Sequence, residues 1–335
     1  MITLKSNLHL DPWLNLTESP AFLRLVQPRE HSWWRPIATL GLILATTVVL
    51  SLVGFLVSGL LNRWLIEALV THEPLQWPAN LFANAQSARV DCAGCLMAGA
   101  TSAVGVGAMA GASLVALLTS ASLVNHRSPR TWATAAPHFR WRLFLAGLGL
   151  FSLVLGLTTA IPEAIHGWPD RPLLWRPGEA LPVRLVYLAA TLMALPVAAA
   201  FEEVLCRGWL LQTTAAFTRN LAVILVFNSL VFSALHIDLD AGRNVSRAVL
   251  GVALSYGALR LGGLEFGIGV HAANNLVILF LSQTLPEAQS LPPSTPLGVA
   301  ENIAVSAGAV GLIELAARWA PLRRWAGVVE AFSSP

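Results

Sequence analysis

Charged residues are scarce in this chain. Only 12% of its 335 residues are Asp, Glu, Lys or Arg, whereas 55% are hydrophobic and the mean hydropathy is +0.64. A soluble globular domain carries about 25% charged residues, so that class of protein is excluded. The composition instead indicates an all-α, polytopic membrane protein.

Cysteine is also rare, and three residues are too few for a disulfide framework. Cys92 and Cys95 form a CxxC pattern, which is compatible with a redox pair or with half of a metal site. There is no second CxxC in the sequence. We therefore favour the simpler interpretation, in which these are small residues at the entry of a helix.

The N-terminal segment, residues 1–35, lacks an apolar run like that of a signal peptide. We expect it to be cytosolic or to lie at the membrane interface. The chain also lacks a basic surface interleaved with aromatic residues, so nothing indicates a nucleic-acid partner.

Apolar runs long enough to cross a bilayer recur along the whole chain. A hydrocarbon core about 30 Å thick requires about 20 apolar residues per helix, and the sequence contains about eight such runs. We expect these helices to bundle around an intramembrane polar cavity. They lie near residues 37–61, 95–124, 143–161, 183–213, 220–237, 245–261, 266–284 and 297–318.

Arginine placement suggests an orientation. With eight spans, both termini share one side of the membrane with the loop that contains Arg127, Arg130, Arg140 and Arg142, and this loop contains no acidic residue. Positively charged loops are retained on the cytoplasmic side. We therefore expect both termini to be cytoplasmic, in a bacterial inner membrane.

A few ionisable or amide side chains interrupt these apolar runs, and a charged one costs about 3 kcal/mol at the centre of a membrane helix. They group in the fourth, fifth and seventh runs, as Glu202, Glu203, Arg207, His236, His271 and Asn275.

Helical spacing sorts the acidic pair. Glu203 and Arg207 are four residues apart, so they share one helix face and are expected to form an ion pair. Glu202 lies about 100° to the side. One carboxylate therefore has a cation partner, whereas the other remains free to act.

Two further patterns have structural interpretations. Glu314 and Arg318 are also four residues apart and are expected to pair with each other. Gly107 and Gly111 have GxxxG spacing, which predicts close helix packing rather than chemistry.

Three short motifs, in chain order, carry a resemblance. The sequence EEVLCR from Glu202 fits EExxxR, FSALH from Phe232 fits FxxxH, and HAANN from His271 fits HxxxN. In this order and on membrane helices, they resemble the CPBP intramembrane proteases, a family that includes the Ras-converting CAAX endopeptidase. The resemblance covers about residues 183–284, and for the first 140 residues we can name no resemblance.

The resemblance implies an endopeptidase that acts on a peptide or a lipidated protein and needs no cofactor. Glu202 would activate a water molecule, and His236 would hold the same water and relay its proton. Glu203 and Arg207 would orient the site. The implied domains are the segment 1–35, N-terminal transmembrane helices 36–165, a catalytic core 183–284, and a last helix with a cytoplasmic tail 295–335.

His271 and Asn275 would face the oxyanion in the same scheme. A zinc ion held by Glu202, His236 and His271 is the alternative mechanism, although the sequence contains no HExxH. Straight helices would place His236 and His271 on opposite sides of the membrane, so the site requires short, tilted or broken helices.

Two alternatives from other functional classes remain. One is a non-catalytic membrane protein, such as a bacteriocin immunity factor. The other is a transporter, because intramembrane acids and histidines also build proton relays. Transport predicts matching features in both halves of the chain, whereas the ionisable cluster lies in the second half only.

Overall fold

The apolar runs of the sequence form α-helices. In a computed structural model, ten α-helices and a π-helical segment occur within the described residues, which also contain an isolated bridge between Thr134 and Gly263 but no β-strand. The described residues are 21–69, 95–166, 172–175, 178, 180–282 and 293–328. The helices are α1 (Trp34–Leu69), α2 (Cys95–Asn125), α3 (Trp141–His166), α4 (Leu181–Glu203), α5 (Leu211–Phe217), α6 (Leu221–Ala234), α7 (Ala241–Leu261), α8 (Glu265–Leu281), α9 (Pro296–Arg318) and α10 (Ala320–Trp325).

A helix forms at each of the eight predicted positions, but the count of eight membrane spans is not confirmed. Four apolar stretches of the described residues are long enough to cross a membrane: Leu96–Asn125, Trp141–Ile161, Leu181–Phe217 and Pro296–Arg318.

Short length accounts for two of the four predicted spans that are absent from this set. Helix α6 has 14 residues and α8 has 17, so they rise about 21 Å and 26 Å, less than the bilayer core of about 30 Å. These two helices belong to the part of the bundle that carries the predicted site residues.

Glycine contacts determine how closely the helices approach. A Cβ added at Gly147 of α3 would overlap the carbonyl oxygen of Phe266 in α8, and one at Gly269 of α8 would overlap that of Phe144. In the GxxxG pair, a Cβ at Gly107 would lie 2.8 Å from the Cβ of Ala194 in α4. The close packing predicted for this pattern is confirmed at Gly107, whereas a Cβ at Gly111 would make an ordinary contact with Val197, at 3.6 Å.

A buried ion pair fixes the start of α8. Arg140 donates through Nε to Glu265 Oε1 at 2.9 Å and through Nη2 to Oε2 at 2.7 Å. Its Nη1 donates to the carbonyl of Leu261 at 2.9 Å. The residues before α3 and the α7–α8 turn are therefore held together.

A second buried ion pair ties the N-terminal segment to the bundle. Arg127 donates to both carboxylate oxygens of Glu30, at 3.1 and 3.0 Å, and to Gln212 Oε1 of α5 at 2.7 Å. Arg127 and Arg140 are therefore neutralised by acids from distant parts of the chain. The cytoplasmic orientation of their loop remains a prediction.

The expected pairing of Glu314 with Arg318 is confirmed. Two partners from α7 join it, because Glu314 also accepts hydrogen bonds from Arg260 Nε at 2.9 Å and from the hydroxyl of Tyr256. The cluster ties α9 to α7, away from the predicted catalytic residues.

We predict that Gly147→Ala destabilises the protein by about 1–3 kcal/mol, because a methyl group there must displace the backbone of α8. Gly149→Ala is the matched control in the same helix, since nothing lies within 4 Å of a Cβ at Gly149. Thermal unfolding in detergent measures both variants. Equal melting temperatures would contradict the proposed tightness of the α3–α8 contact.

Candidate active site

The acidic pair lies where the α-helical hydrogen-bond pattern of α4 changes to a π-helical one. Glu202 and Glu203 are the last residues of α4, and the π-helical segment Val204–Leu210 follows directly. π-Helical turns are rare and frequently occur at functional sites. The sequence analysis treated residues 183–213 as one regular helix and missed this segment.

The predicted pairing of Glu203 with Arg207 is confirmed. Arg207 Nη1 lies 2.9 Å from Glu203 Oε1, and both side chains are fully buried. The same Oε1 atom lies 2.9 Å from His271 Nδ1 of α8. Since a carboxylate oxygen only accepts, both the guanidinium and the imidazole donate to it.

Glu202 faces the two histidines. Its Oε2 atom lies 3.6 Å from His271 Nε2 and 4.0 Å from His236 Nε2. This oxygen is buried and has no hydrogen-bond partner among the described residues, although one third of the Glu202 side chain is exposed. The three groups converge with space between them.

The end of α6 and the first half of α8 meet near Glu202, so the two histidines lie on the same side of the bundle. Helix α6 ends at Ala234, and His236 follows within two residues. His271 is the seventh residue of α8. The end of α6 therefore lies beside Glu202, since His236 Nε2 is 4.0 Å from Glu202 Oε2.

Phe232 contacts three of the functional groups. Its buried ring lies 4.1 Å from the Arg207 guanidinium, and its centroid lies 4.9 Å and 5.9 Å from those of His236 and His271. Its carbonyl oxygen lies 2.9 Å from His236 Nδ1. The sequence analysis quoted this residue only as a motif position.

These contacts set the tautomers. Because a carbonyl oxygen only accepts, His236 carries a proton on Nδ1, and the Glu203 carboxylate imposes the same on His271. In a neutral imidazole, Nε2 is then a hydrogen-bond acceptor. Both Nε2 atoms face Glu202. Where the rings are neutral, a proton or a water molecule is needed to join these nitrogens to its carboxylate.

Asn275 lies one turn beyond His271 on α8 and is half-buried. Its side-chain oxygen accepts a hydrogen bond from Asn274 Nδ2 at 3.4 Å. It makes no hydrogen bond to Glu202, His236 or His271. The structure thus brings five of the predicted residues together, Glu202, Glu203, Arg207, His236 and His271. Asn275 lies one turn of α8 from His271.

An anchored loop follows His236. Asp238 accepts hydrogen bonds from Arg243 Nε at 2.6 Å and Nη2 at 2.9 Å, and from Arg247 Nη1 at 2.9 Å. These bonds hold the pKa of Asp238 well below its usual range. The hydrogen bonds that Asp240 accepts from Ser294 lower its pKa to about 2. Sequence reasoning, which searched inside the spans, missed this cluster.

The cysteine pattern cannot be placed, since Cys92 and the side chain of Cys95 lie outside the described residues. Cys206 is a buried free thiol. Across the parts of the chain that the structure describes, no three His, Cys, Asp or Glu side chains are grouped as a metal site.

The comparisons identify this part of the chain. Residues 184–277 match the family described as type II CAAX prenyl endopeptidase Rce1-like. The segment 184–277 is an Rce1-like domain. It contains all six predicted site residues, and the resemblance expected from the three motifs is confirmed.

One curated protein is similar to part of this chain. The uncharacterized protein YyaK of Bacillus subtilis (strain 168) is 27% identical to this chain over 174 residues. The match covers 50% of this chain and 56% of the relative, so this chain spans little more than half of that protein. No solved structure matches.

We predict that Glu203→Gln destabilises the protein by about 3–5 kcal/mol, because it leaves the buried Arg207 guanidinium without a counter-charge. Glu202→Gln is the matched control, since Glu202 has no arginine partner in the structure. Thermal unfolding in detergent compares them. A Glu203→Gln variant as stable as Glu202→Gln would show that the ion pair does not hold the helices in place.

Proposed function

We propose that the protein is an intramembrane endopeptidase that cleaves a lipidated or membrane-associated substrate with a water molecule activated by Glu202. The observation that carries this proposal is the convergence of Glu202 Oε2 with His236 Nε2 and His271 Nε2 inside an Rce1-like domain. The buried Glu203–Arg207 pair orients the group.

The spacing of these atoms suits a bridging water. An oxygen about 2.8 Å from each of two atoms joins atoms that are 4.0 Å apart, which is the separation of Glu202 Oε2 from His236 Nε2. Glu202 takes one proton from this water, and His236 accepts the hydrogen bond of the other. The base, its proton relay and the nucleophile are then in contact.

The reaction balances with these residues. The water oxygen forms a bond to the substrate carbonyl carbon as its proton moves to Glu202. In its protonated form, His271 donates from Nε2 to the resulting oxyanion, and Asn275 adds an amide donor. The C–N bond then breaks, and the proton held by Glu202 passes to the leaving amine.

The helix surfaces around the site favour a substrate that approaches within the membrane. Helix α6 exposes Val223, Val226, Phe227 and Leu230, and α8 exposes Ile278. An attached lipid chain gains about 0.8 kcal/mol for each methylene that leaves water, which brings the substrate into the bilayer beside these helices. We further propose that the helices surround an intramembrane cavity in a bacterial inner membrane and that both termini are cytoplasmic.

Zinc catalysis with the same residues is the alternative mechanism. Ligands of a tetrahedral zinc ion, with bonds of about 2.0–2.1 Å, lie about 3.3 Å apart. His236 and His271 lie 4.0 and 3.6 Å from Glu202 Oε2, so all three side chains would have to draw closer. The metal-free mechanism requires no such movement of the three side chains.

We predict that Glu202→Gln abolishes cleavage of a prenylated or acylated peptide, because the amide keeps the shape of the carboxylate and loses its basicity. The parent protein should cleave the lipidated peptide far faster than the bare one. Glu301→Gln is the control, since this exposed carboxylate lies on α9.

Purified protein in detergent and mass analysis of the products measure these rates. Full activity in Glu202→Gln would remove Glu202 from the mechanism. Equal rates for bare and lipidated peptides would show that the membrane-facing walls do not select the substrate. Tight binding of the lipidated peptide without cleavage would favour a non-catalytic protein of the bacteriocin-immunity kind.

We predict that the purified active protein contains far less than one equivalent of zinc and remains active after prolonged chelation. Elemental analysis and the peptide assay measure this on the same sample. Stoichiometric zinc that is lost together with activity, and lost again in His236→Ala, would establish the zinc mechanism instead.

A further inference from the structure

We infer that Asp238, held by Arg243 and Arg247, is a positioning residue that keeps a strained turn at Ile237 and thereby presents His236 to Glu202. The inference rests on the proposed function for its kinetic consequences. The turn itself is tested separately.

The end of helix α6 releases the carbonyl group that holds His236. In a regular α-helix the backbone N–H of His236 would bond to the carbonyl of Phe232. It bonds instead to the carbonyl of Ser233, at 3.2 Å, and the next N–H, of Ile237, bonds to that of Ala234 at 3.1 Å. The Phe232 carbonyl is then available to His236 Nδ1. The orientation of the imidazole thus depends on this tightened last turn.

Ile237 completes the turn in an unfavourable conformation. Its φ is +48°, in the left-handed region, where a β-branched residue is a genuine outlier. The side chain is 89% exposed, so its packing cannot hold the backbone there. Such strain persists only where surrounding contacts determine the conformation.

Asp238 supplies those contacts on the far side of the turn. Its carboxylate accepts three hydrogen bonds from Arg243 and Arg247, and its carbonyl accepts one from Asn244 Nδ2 at 2.7 Å. All three partners lie on the first turns of α7.

Helix α7 also fixes the residues before Ile237. Ser233, three residues before His236, donates its hydroxyl to the carbonyl of Asn244 at 2.9 Å. Residues on both sides of Ile237 are therefore fixed to α7. None of the described hydrogen bonds of Asp238 reaches Glu202, His236 or His271, so it acts through the turn.

The test uses three variants: Asp238→Asn, Ile237→Asn and the double variant. Asp238→Asn weakens the bonds to both arginines and should lower kcat by about tenfold to a hundredfold, the range expected for a misplaced catalytic group. KM should change little, because no substrate contact is lost. Asparagine tolerates the left-handed conformation, so Ile237→Asn alone should remain active.

Rescue separates positioning from other roles. In the double variant, Ile237→Asn relieves the strain that Asp238 opposes, so most of the lost kcat should return. Glu301→Gln is again the control for loss of an acidic charge. An unchanged kcat in Asp238→Asn, a loss seen only in KM, or a loss that the double variant fails to restore would each overturn the inference.

Hydrogen exchange of the backbone amides at 235–240 tests the turn without any substrate. Exchange should rise in Asp238→Asn and fall again in the double variant. If exchange follows this pattern while the parent protein cleaves no peptide, the proposed function fails and the anchored turn stands. Unchanged exchange in Asp238→Asn would overturn the anchor itself.

Discussion

The Glu203–Arg207–His271 contact is the constraint on which the rest of the site depends. An arginine fully buried among apolar helices requires a counter-charge. Nε and Nη2 of Arg207 have no hydrogen-bond partner among the described residues, so the contact from Nη1 to Oε1 of Glu203 supplies this compensation. Because the same carboxylate oxygen also accepts from His271, α4 and α8 are fixed against each other. The ring of Phe232 beneath the guanidinium adds α6. Three helices thus meet beside Glu202, whose carboxylate has no arginine partner in the structure.

The surrounding helices keep this convergence rigid. Glycines let α3 approach the backbone of α8, and the Arg140–Glu265 pair fixes where α8 begins. A catalytic group displaced by 1 Å can lose about a hundredfold in rate. Backbone contacts and buried ion pairs well away from Glu202 therefore bear on the proposed chemistry, because they determine where His271 lies.

Local spacing in the sequence predicted the parts that depend on one helix. The positions of the eight helices follow from long apolar runs. The Glu203–Arg207 and Glu314–Arg318 pairs and the close packing at Gly107 follow from spacings of four residues. The ion pairs of Arg127 and Arg140 join residues 97 and 125 positions apart, which no local pattern encodes. The count of eight spans is not confirmed, because apolar character alone does not give the length of a helix within the bundle. The roles of the site residues remain predictions.

The π-helical segment changes the direction in which side chains point between α4 and α5, although the helix is continuous. Before it, Glu202 and Glu203 face the histidines, and after it, Gln212 faces the Arg127–Glu30 pair. A residue removed from Val204–Leu210 would turn the second half by about 100° relative to the first. Either the carboxylates or Gln212 would then point away from its partners. The π-helical segment therefore allows Glu202 and Glu203 to point toward the histidines while Gln212 points toward Arg127.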